Sequence, residues 1–299
     1  AVCHVLRYTP FYMNIKQLLT SGVIGDIITV EHTENVAYWH YAHSYVRGNW
    51  RSASESSPMI LAKSCHDLDI LSWLIDRPCE SVASFGCLTH FKMENAPDGA
   101  PKRCLDGCPH AGSCPYYAPR LYTGTEQDWQ MHYTRRAVTP EPGEDALHQA
   151  LEKGPYGRCV YHCDNDVVDH QVVNLVFEGG ITAAFTMTTF TITNNRTTRI
   201  LGTKGELRGS MEDNHIEYRD FLTNTRHTLT LDQSEEGHGG GDLGILTDFI
   251  DTIRSGGESR SSARLSLQSH LMAFAAEEAR LQDRVVNLTE FETRLEGTK

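Results

Sequence analysis

The sequence predicts an α+β fold, in which a large, mostly antiparallel open sheet carries helices on one face. Between residues 170 and 231, short stretches rich in β-forming side chains follow one another at hairpin spacing. Glu178-Gly179-Gly180 separates two of these stretches, and paired glycines in such a place indicate a tight hairpin. Helical periodicity returns near the end, at residues 242–254 and 263–283. Consecutive hairpins with few helices indicate an antiparallel sheet.

The first residues predict a strand followed by a helix. Residues 2–6 form a short apolar run with the pattern of a buried strand. Thr9 and Pro10 suit the N-cap and first position of a helix, and Gly22 suits its end. Because the chain opens inside this predicted strand, we expect a preceding portion of the fold to be missing.

Residues 27–36 predict the first long strand of the sheet. Val30 and His32 fall on one face, whereas Thr29 and Glu31 fall on the other. An irregular loop rich in Tyr, Trp, His and Ser is predicted at residues 37–57, a helix at 59–75, and further strands at 81–91, 170–177, 181–191, 197–201, 206–211, 215–218 and 225–231.

The charge balance and the hydropathy pattern exclude several classes of partner. The chain has 27 Lys and Arg against 39 Asp and Glu, a formal net charge of −12. Nucleic acids and anionic membranes attract clustered basic side chains, so we expect neither as a partner. No apolar run approaches the roughly 18 residues that span a bilayer, and no signal peptide is recognisable. We therefore expect a cytoplasmic protein.

The predicted helix 59–75 carries candidate catalytic side chains. Lys63, His66 and Asp67 lie at positions i, i+3 and i+4, so they share one helical face. A histidine beside a lysine and a carboxylate could act as a proton shuttle, because its pKa lies near neutrality and its neighbours tune it. A solvated polar helix face is the alternative.

Residues 94–161 lose periodicity and are rich in Pro, Gly, Cys and Tyr, which predicts a long insertion. In a reducing compartment, thiolate binding of a structural metal, zinc above all, would order such a segment. Free packed thiols and disulfides are the alternatives. The expected ligands are Cys104, Cys108, Cys114 and Cys163, with Cys159 or His110 as alternatives for the fourth position.

A glycine run at residues 239–244 satisfies the spacing G-x-G-x-x-G of dinucleotide-binding turns. That fingerprint requires a strand before it and a parallel strand after its helix. Here a polar stretch precedes the run and helices follow it. We therefore interpret the run as a loop that opens a helix, with His238 reaching towards a substrate cleft.

Five short motifs occur in a fixed order and together cover nearly the whole chain. They are Arg-Tyr-Thr-Pro at 7–10, Lys16 with Gly-Val-Ile-Gly-Asp at 22–26, His-Asp-Leu-Asp at 66–69, Gly-Thr-Lys-Gly-Glu-Leu at 202–207 and Ser-His-Leu-Met-Ala-Phe-Ala-Ala-Glu at 269–277. Each motif alone is weakly specific. In this order they resemble the Gfo/Idh/MocA oxidoreductase family, which includes glucose–fructose oxidoreductase and inositol dehydrogenase.

The resemblance implies a domain organisation. Family members have an N-terminal Rossmann domain that binds the dinucleotide, and a C-terminal α/β domain whose open sheet commonly forms the oligomer interface. We therefore expect residues 1–25 to be a strand–helix remnant at the junction with a missing dinucleotide-binding domain. Residues 26–299 are expected to form the substrate-binding and oligomerisation domain. A homo-oligomer, dimer or tetramer, is expected, and the chain alone is expected to be inactive.

The resemblance also implies a chemistry, the oxidation of a sugar or polyol with NAD or NADP in the complete enzyme. The family's active-site histidine corresponds to His66, whereas the family's active-site lysine lies in the Rossmann domain. Lys63 is a second candidate catalytic group because of its helical spacing from His66. The family's common Asp four residues earlier is Ala62 here, so the usual Asp/His relay is not reproduced.

Aromatic and hydrogen-bonding side chains suit a sugar ring, although simple packing is the alternative for each. The expected substrate-binding residues are Trp39, His40, Trp50, Arg51, Asp169, His170 and His238.

Two other functions are compatible with the sequence. A non-catalytic ligand-binding or regulatory protein could keep the same fold, and Ala62 together with the absent dinucleotide domain favours that alternative. A glycoside-cleaving enzyme that works by transient oxidation would use the same groups. The sequence does not decide between NAD and NADP.

Overall fold

A nine-stranded sheet forms the frame of the protein. The computed structural model describes residues 1–123, 129–232 and 237–297, with the backbone alone at residues 129–133. The strands are β1 (Ile27–Ala37), β2 (Cys79–Cys87), β3 (His170–Phe177), β4 (Ile181–Thr191), β5 (Asn195–Gly202), β6 (Gly205–Ser210), β7 (His215–Asp220), β8 (Arg226–Thr230) and β9 (Val286–Asn287). Their spatial order is β8-β7-β6-β5-β1-β4-β3-β2-β9.

The pairing confirms the predicted fold class. Within the described ranges β1 and β4 form the one parallel pair, and every other neighbouring pair is antiparallel. The hairpin between β3 and β4 turns at Gly179 and Gly180, whose φ angles are 84° and 78°. Only glycine adopts this left-handed region without strain, so the local sequence dictates the turn.

Helices cover one face of the sheet. Helix α9 lies along β2 and against α4, and α1 contacts both α4 and β7. As expected, Thr9 caps α1: its hydroxyl accepts a hydrogen bond from the N–H of Tyr12 at 3.2 Å. The helices are α1 (Pro10–Thr20), α2 (Tyr38–Tyr41), α3 (Met59–Ala62), α4 (Cys65–Ile75), α5 (Ala118–Tyr122), α6 (Trp129–Val138), α7 (Glu144–Lys153), α8 (Gly241–Ser255), α9 (Ala263–Gln282) and α10 (Leu288–Glu296).

Two predictions for the first 57 residues are wrong. Residues 2–6 do not form a strand; the chain instead makes a 3₁₀ turn at Val5–Tyr8 that packs against α8. A short apolar run does not distinguish a strand from another buried segment, so the premise that the chain opens inside a strand fails. Residues 37–57 are not wholly irregular either. Helix α2 continues into a π-helical stretch, Ala42–Arg47, and both Tyr41 at the end of α2 and Tyr45 in the π-helical stretch are buried.

The insertion is ordered by burial. The expectation of too little apolar periodicity is wrong, because α7 buries Leu147 and Leu151 one helical turn apart. Tyr122 and Val160 also join the main core. Beyond residue 283 the sequence prediction missed β9 and α10. None of the helices in the described part of the chain is both long and apolar enough to cross a membrane.

Candidate functional site

The helix predicted at residues 59–75 is broken at the position of the candidate catalytic lysine. Helix α3 ends at Ala62, Lys63 has φ −116° and ψ −50°, and α4 begins after Ser64. The expectation that Lys63, His66 and Asp67 share one helical face is therefore wrong. Lys63 lies in the break, where its Nζ is 3.1 Å from Oε1 of Glu34 on β1.

A buried charge network connects this break to the sheet. Arg196 on β5 places its Nε 2.7 Å from Oε2 of Glu34 and 2.8 Å from Oδ1 of Asp67. Nε2 of His32 is 3.0 Å from the same oxygen of Asp67, and its Nδ1 is 2.9 Å from the hydroxyl of Thr198. Glu34 and Arg196 are direct partners in the β1–β5 register. Sheet pairing therefore positions the network.

The network perturbs the pKa values of its carboxyl groups in opposite directions. Burial, the largest cause, raises the pKa of Glu34 although Arg196 and Lys63 oppose it. Burial also acts to raise the pKa of Asp67, but the charge of Arg196 and the hydrogen bond from His32 hold it well below its usual range. Asp67 is therefore the carboxylate that balances Arg196, and Glu34 is the group whose charge costs more to maintain.

His66 lies at the edge of this network with a nitrogen left unpaired. Burial, followed by the charge of Arg196, lowers the pKa of His66 to about 3. Its Nδ1 is buried and has no hydrogen-bond partner among the described residues. The ring centroid lies 5.8 Å from that of His4 and 6.4 Å from that of His238. In the tautomer that carries its proton on Nε2, this neutral imidazole presents Nδ1 as a hydrogen-bond acceptor without a donor.

Three expected substrate-binding residues lie near this imidazole and lysine. Nδ1 of His40 is 3.0 Å from Oδ1 of Asn194. Burial, followed by the charge of Lys63, lowers the pKa of His40 to about 4. Trp39 stacks on the His40 ring with centroids 5.6 Å apart. His238 is exposed, its Nδ1 lies 2.8 Å from Oδ1 of Asp242, and its ring centroid lies 6.4 Å from that of His66.

The other predicted substrate-binding residues lie elsewhere. Arg51 pairs with Asp164 and Glu55, and the neighbouring Trp50 has no described contact with the site. Asp169 is fully buried and accepts hydrogen bonds from the N–H groups of Thr89 and His90, both at 2.8 Å. His170 bonds Asp169 at 2.8 Å and lies opposite Cys87. Within the described residues, no contact joins Trp50, Arg51, Asp169 or His170 to His66.

Sequence reasoning missed Glu34, Arg196, Asn194 and His4. One signal was available for Glu34, because it follows Val30 and His32 on the inward face of β1, where a carboxylate requires a partner. Arg196 lies far along the chain, and only strand pairing brings it opposite Glu34. No local pattern indicates that pairing.

The zinc expectation is not supported. Among the residues that the structure describes, no three metal-ligating side chains are arranged to hold a metal ion. Cys163 donates its thiol proton to the carbonyl oxygen of Cys159 at 3.3 Å and is not among the residues that line the cavity formed by the other cysteines. A small cavity is lined by Cys104, Cys108 and Cys114, and Cys159 occupies the place expected for Cys163.

The glycine run at residues 239–244 does not fit a dinucleotide. It opens α8, which packs on the Val5–Tyr8 turn, and within the described residues no parallel strand follows it. A side chain at Gly241 would collide with the carbonyl of Val5, and one at Gly244 with Tyr8. These glycines therefore permit close helix packing, and the interpretation as a helix-opening loop is confirmed.

Comparison with known proteins places this chain in a family. Residues 16–288 match the family described as "Oxidoreductase family, C-terminal alpha/beta domain". A protein named "Putative oxidoreductase YteT" from Bacillus subtilis (strain 168) is 25% identical over an alignment of 262 residues that covers 82% of this chain and 58% of YteT. The chain thus spans little more than half the length of this relative.

Solved structures share the fold at low sequence identity. A levoglucosan dehydrogenase in complex with NADH and levoglucosan is 16% identical with a TM-score of 0.63, covering 96% of this chain and 65% of its own. An oxidoreductase from Agrobacterium radiobacter, in complex with NAD+, L-tartaric acid and magnesium, is 14% identical with a TM-score of 0.60 over 96% and 64%. A super-repressor mutant of Gal80p from Saccharomyces cerevisiae is 11% identical with a TM-score of 0.58 over 96% and 64%. With its family match and its open antiparallel sheet, this chain belongs to the Gfo/Idh/MocA oxidoreductases.

Proposed function

We propose that this chain is the substrate-binding and proton-transferring part of an NAD(P)-dependent oxidoreductase that acts on a sugar or a polyol. The observation that carries the proposal is the grouping of Lys63, His66 and His40 around a buried network, where Nδ1 of His66 has no hydrogen-bond partner among the described residues. Perturbed titratable groups that converge in this way are typical of active sites. The family match supports the reaction class.

The histidine and the lysine have distinct roles in this proposal. A pKa of about 3 keeps His66 neutral at physiological pH, so Nδ1 can accept the proton of a substrate hydroxyl. The ammonium of Lys63, held by Glu34, would stabilise the substrate oxygen as it loses its proton.

Other side chains around these two groups suit a polyhydroxylated ligand. Asn194, bonded to His40, and the indole of Trp39 offer a hydrogen-bonding edge beside an apolar face. A sugar ring presents both kinds of surface. In the complete enzyme the dinucleotide supplies the hydride chemistry, and the residues of this chain bind the substrate, orient it and move the proton.

Titration of the chain with a panel of hexoses, inositols and other polyols tests ligand binding directly. Lys63→Met and His66→Leu should each weaken binding by about tenfold or more, because each removes a hydrogen bond to the ligand. His148→Gln, which alters an exposed histidine on α7, should leave the affinity unchanged. Absence of binding across the panel, or equal affinities for all three variants, contradicts the proposal.

Turnover separates catalysis from binding alone. In the enzyme assembled with a dinucleotide-binding domain, His66→Ala should lower kcat about 10²–10⁴-fold and leave dinucleotide affinity unchanged. The second candidate, a non-catalytic ligand-binding protein, is favoured by Ala62 in the place of the family's carboxylate. It predicts ligand binding without dinucleotide reduction by either the parent protein or the variant.

A further inference from the structure

Four free cysteines surround one small cavity in the insertion, which we call the cysteine cavity. Cys104, Cys108 and Cys114 come from one loop, and Cys159 comes from a second segment. Two backbone hydrogen bonds hold the segments together: the N–H of Cys104 donates to the carbonyl of Gly157 at 3.0 Å, and that of Cys159 donates to the carbonyl of Lys102 at 2.9 Å. The fold thus brings Cys159 to the three earlier thiols, although the nearest of them in the chain, Cys114, lies 45 positions before it.

A buried cation lines the same cavity. The side chain of Arg47 is 1% exposed, donates from Nε to the carbonyl of Arg158 and from Nη2 to that of Tyr116, both at 2.7 Å, and places Nη2 3.8 Å from Sγ of Cys104. In the described ranges, no carboxylate forms an ion pair with Arg47. A buried charge without a counter-charge is strongly destabilising. A negative charge in the cavity would therefore balance the charge of Arg47.

The sulfur atoms provide that charge only when they are thiolates, and metal binding deprotonates thiols. A single ion requires its ligands to meet at one point, an arrangement that the described residues do not contain. A [4Fe–4S] cluster makes a different demand, because each of its four cysteines binds a separate iron, and the four sulfur atoms stand around a central core. Four cysteines around a cavity match this second arrangement.

We infer that the cysteine cavity is the site of a [4Fe–4S] cluster held by Cys104, Cys108, Cys114 and Cys159. Four thiolates around the cluster carry a net negative charge, which balances Arg47. The N–H of Ala118 already points at Sγ of Cys104 at 3.5 Å, as amides do towards cluster sulfurs.

The surroundings of the cavity suit a structural cluster. Two of the four cysteines precede prolines, Pro109 and Pro115, as cluster ligands often do. Tyr116, Tyr117 and Val160 contribute an apolar wall that limits access of water. The cluster would tie the two segments of the insertion together beside Arg47, at the end of the π-helical stretch.

Metal and sulfide analysis tests the inference on the whole chain. Protein produced with ample iron and purified without oxygen, or reconstituted with ferrous iron and sulfide, should contain about four irons and about four acid-labile sulfides per chain. Visible absorption and Mössbauer spectroscopy of this wild-type protein should show a cubane cluster. One zinc per chain without sulfide, or no bound iron after reconstitution, overturns the inference.

Two cysteine variants test the ligand set. Cys108→Ser should lose the cluster, whereas Cys163→Ser should keep it, because Cys163 bonds the Cys159 carbonyl and lies outside the cavity lining. Circular dichroism verifies that both variants fold, and the wild-type spectra decide the question if Cys108→Ser does not. Loss of the cluster in Cys163→Ser but not in Cys108→Ser contradicts the assignment.

Discussion

Replacing Arg196 by methionine should lower the free energy of unfolding by about 3–5 kcal/mol, the usual cost of removing one partner from a buried ion pair. Arg196 is 13% exposed, and the carboxylates that it contacts, Glu34 and Asp67, are 1% and 0% exposed. Methionine keeps most of the side-chain volume but leaves both carboxylates without their main cation. Lys63 and His32 remain as partial partners, so the lower end of this range is expected.

The deficit should depend on pH. In the parent protein Arg196 holds the folded-state pKa of Asp67 below its unfolded value, so Asp67 contributes stability above about pH 4 that is lost as the pH falls through the folded pKa. In the variant this contribution is absent. Burial then raises the pKa values of the Glu34 and Asp67 carboxyl groups in the variant. As the pH falls these groups become protonated, so the destabilisation caused by their unpaired charges decreases. The gap between the two proteins should be widest near pH 7 and narrower near pH 4.

Urea unfolding, followed by circular dichroism and tryptophan fluorescence at several pH values, measures this gap. Arg199→Met is the matched control, because Arg199 lies on the same strand but pairs with Glu206 and Glu31 at the surface. Such exposed pairs are worth about 0–1 kcal/mol. Equal costs for the two variants, or a deficit for Arg196→Met that does not change with pH, would refute the argument that the network is buried and coupled.

The open sheet face, the β3–β4 turn and the site histidine each make a separate prediction. Phe85, 62% exposed beside Val172 on the open face, should lie in a homo-oligomer interface; light scattering should show an oligomer that Phe85→Glu dissociates and Phe221→Glu does not, and a monomeric parent protein would contradict this. Gly179→Ala should cost about 1–2 kcal/mol in thermal or urea unfolding, because φ is 84° there; an unchanged stability would exclude strain at the turn. With a pKa of about 3, His66 should show no NMR titration between pH 8 and 5, and His66→Gln should weaken the loss of stability as the pH falls below about 6.5; a midpoint near 6.5 would show that the imidazole is solvated.

Local features were predictable because their causes are local. The alternation along β1, the paired glycines of the β3–β4 hairpin and the Thr9 cap each depend on residues within a few positions. The break at Lys63 was not predictable, since residues 59–75 carry a continuous helical pattern and contain no proline or glycine. The structure shows the break, and it presents the lysine to Glu34 instead of to its helical neighbours.

The candidate site likewise contains some residues that the sequence indicated and others that only the structure revealed. The motif that carries the family resemblance contained His66, and the glycine-rich loop suggested His238, whose ring lies 6.4 Å from it. Arg51 was chosen for its side-chain type, but in the fold it pairs with Asp164. Residue type shows what a side chain can do, whereas position in the fold decides which neighbours it meets.

The amino-acid sequence by itself determined the fold class and the family, because strand alternation, turn glycines and ordered motifs are written in neighbouring residues. Only the tertiary structure decided which charges are buried together. Glu34 and Arg196 are 162 positions apart and become partners through strand pairing, and Cys159 joins the earlier cysteines only because its segment pairs with theirs. The free energy of a buried charge depends on such neighbours, so pKa values and ligand sets follow from the packed chain.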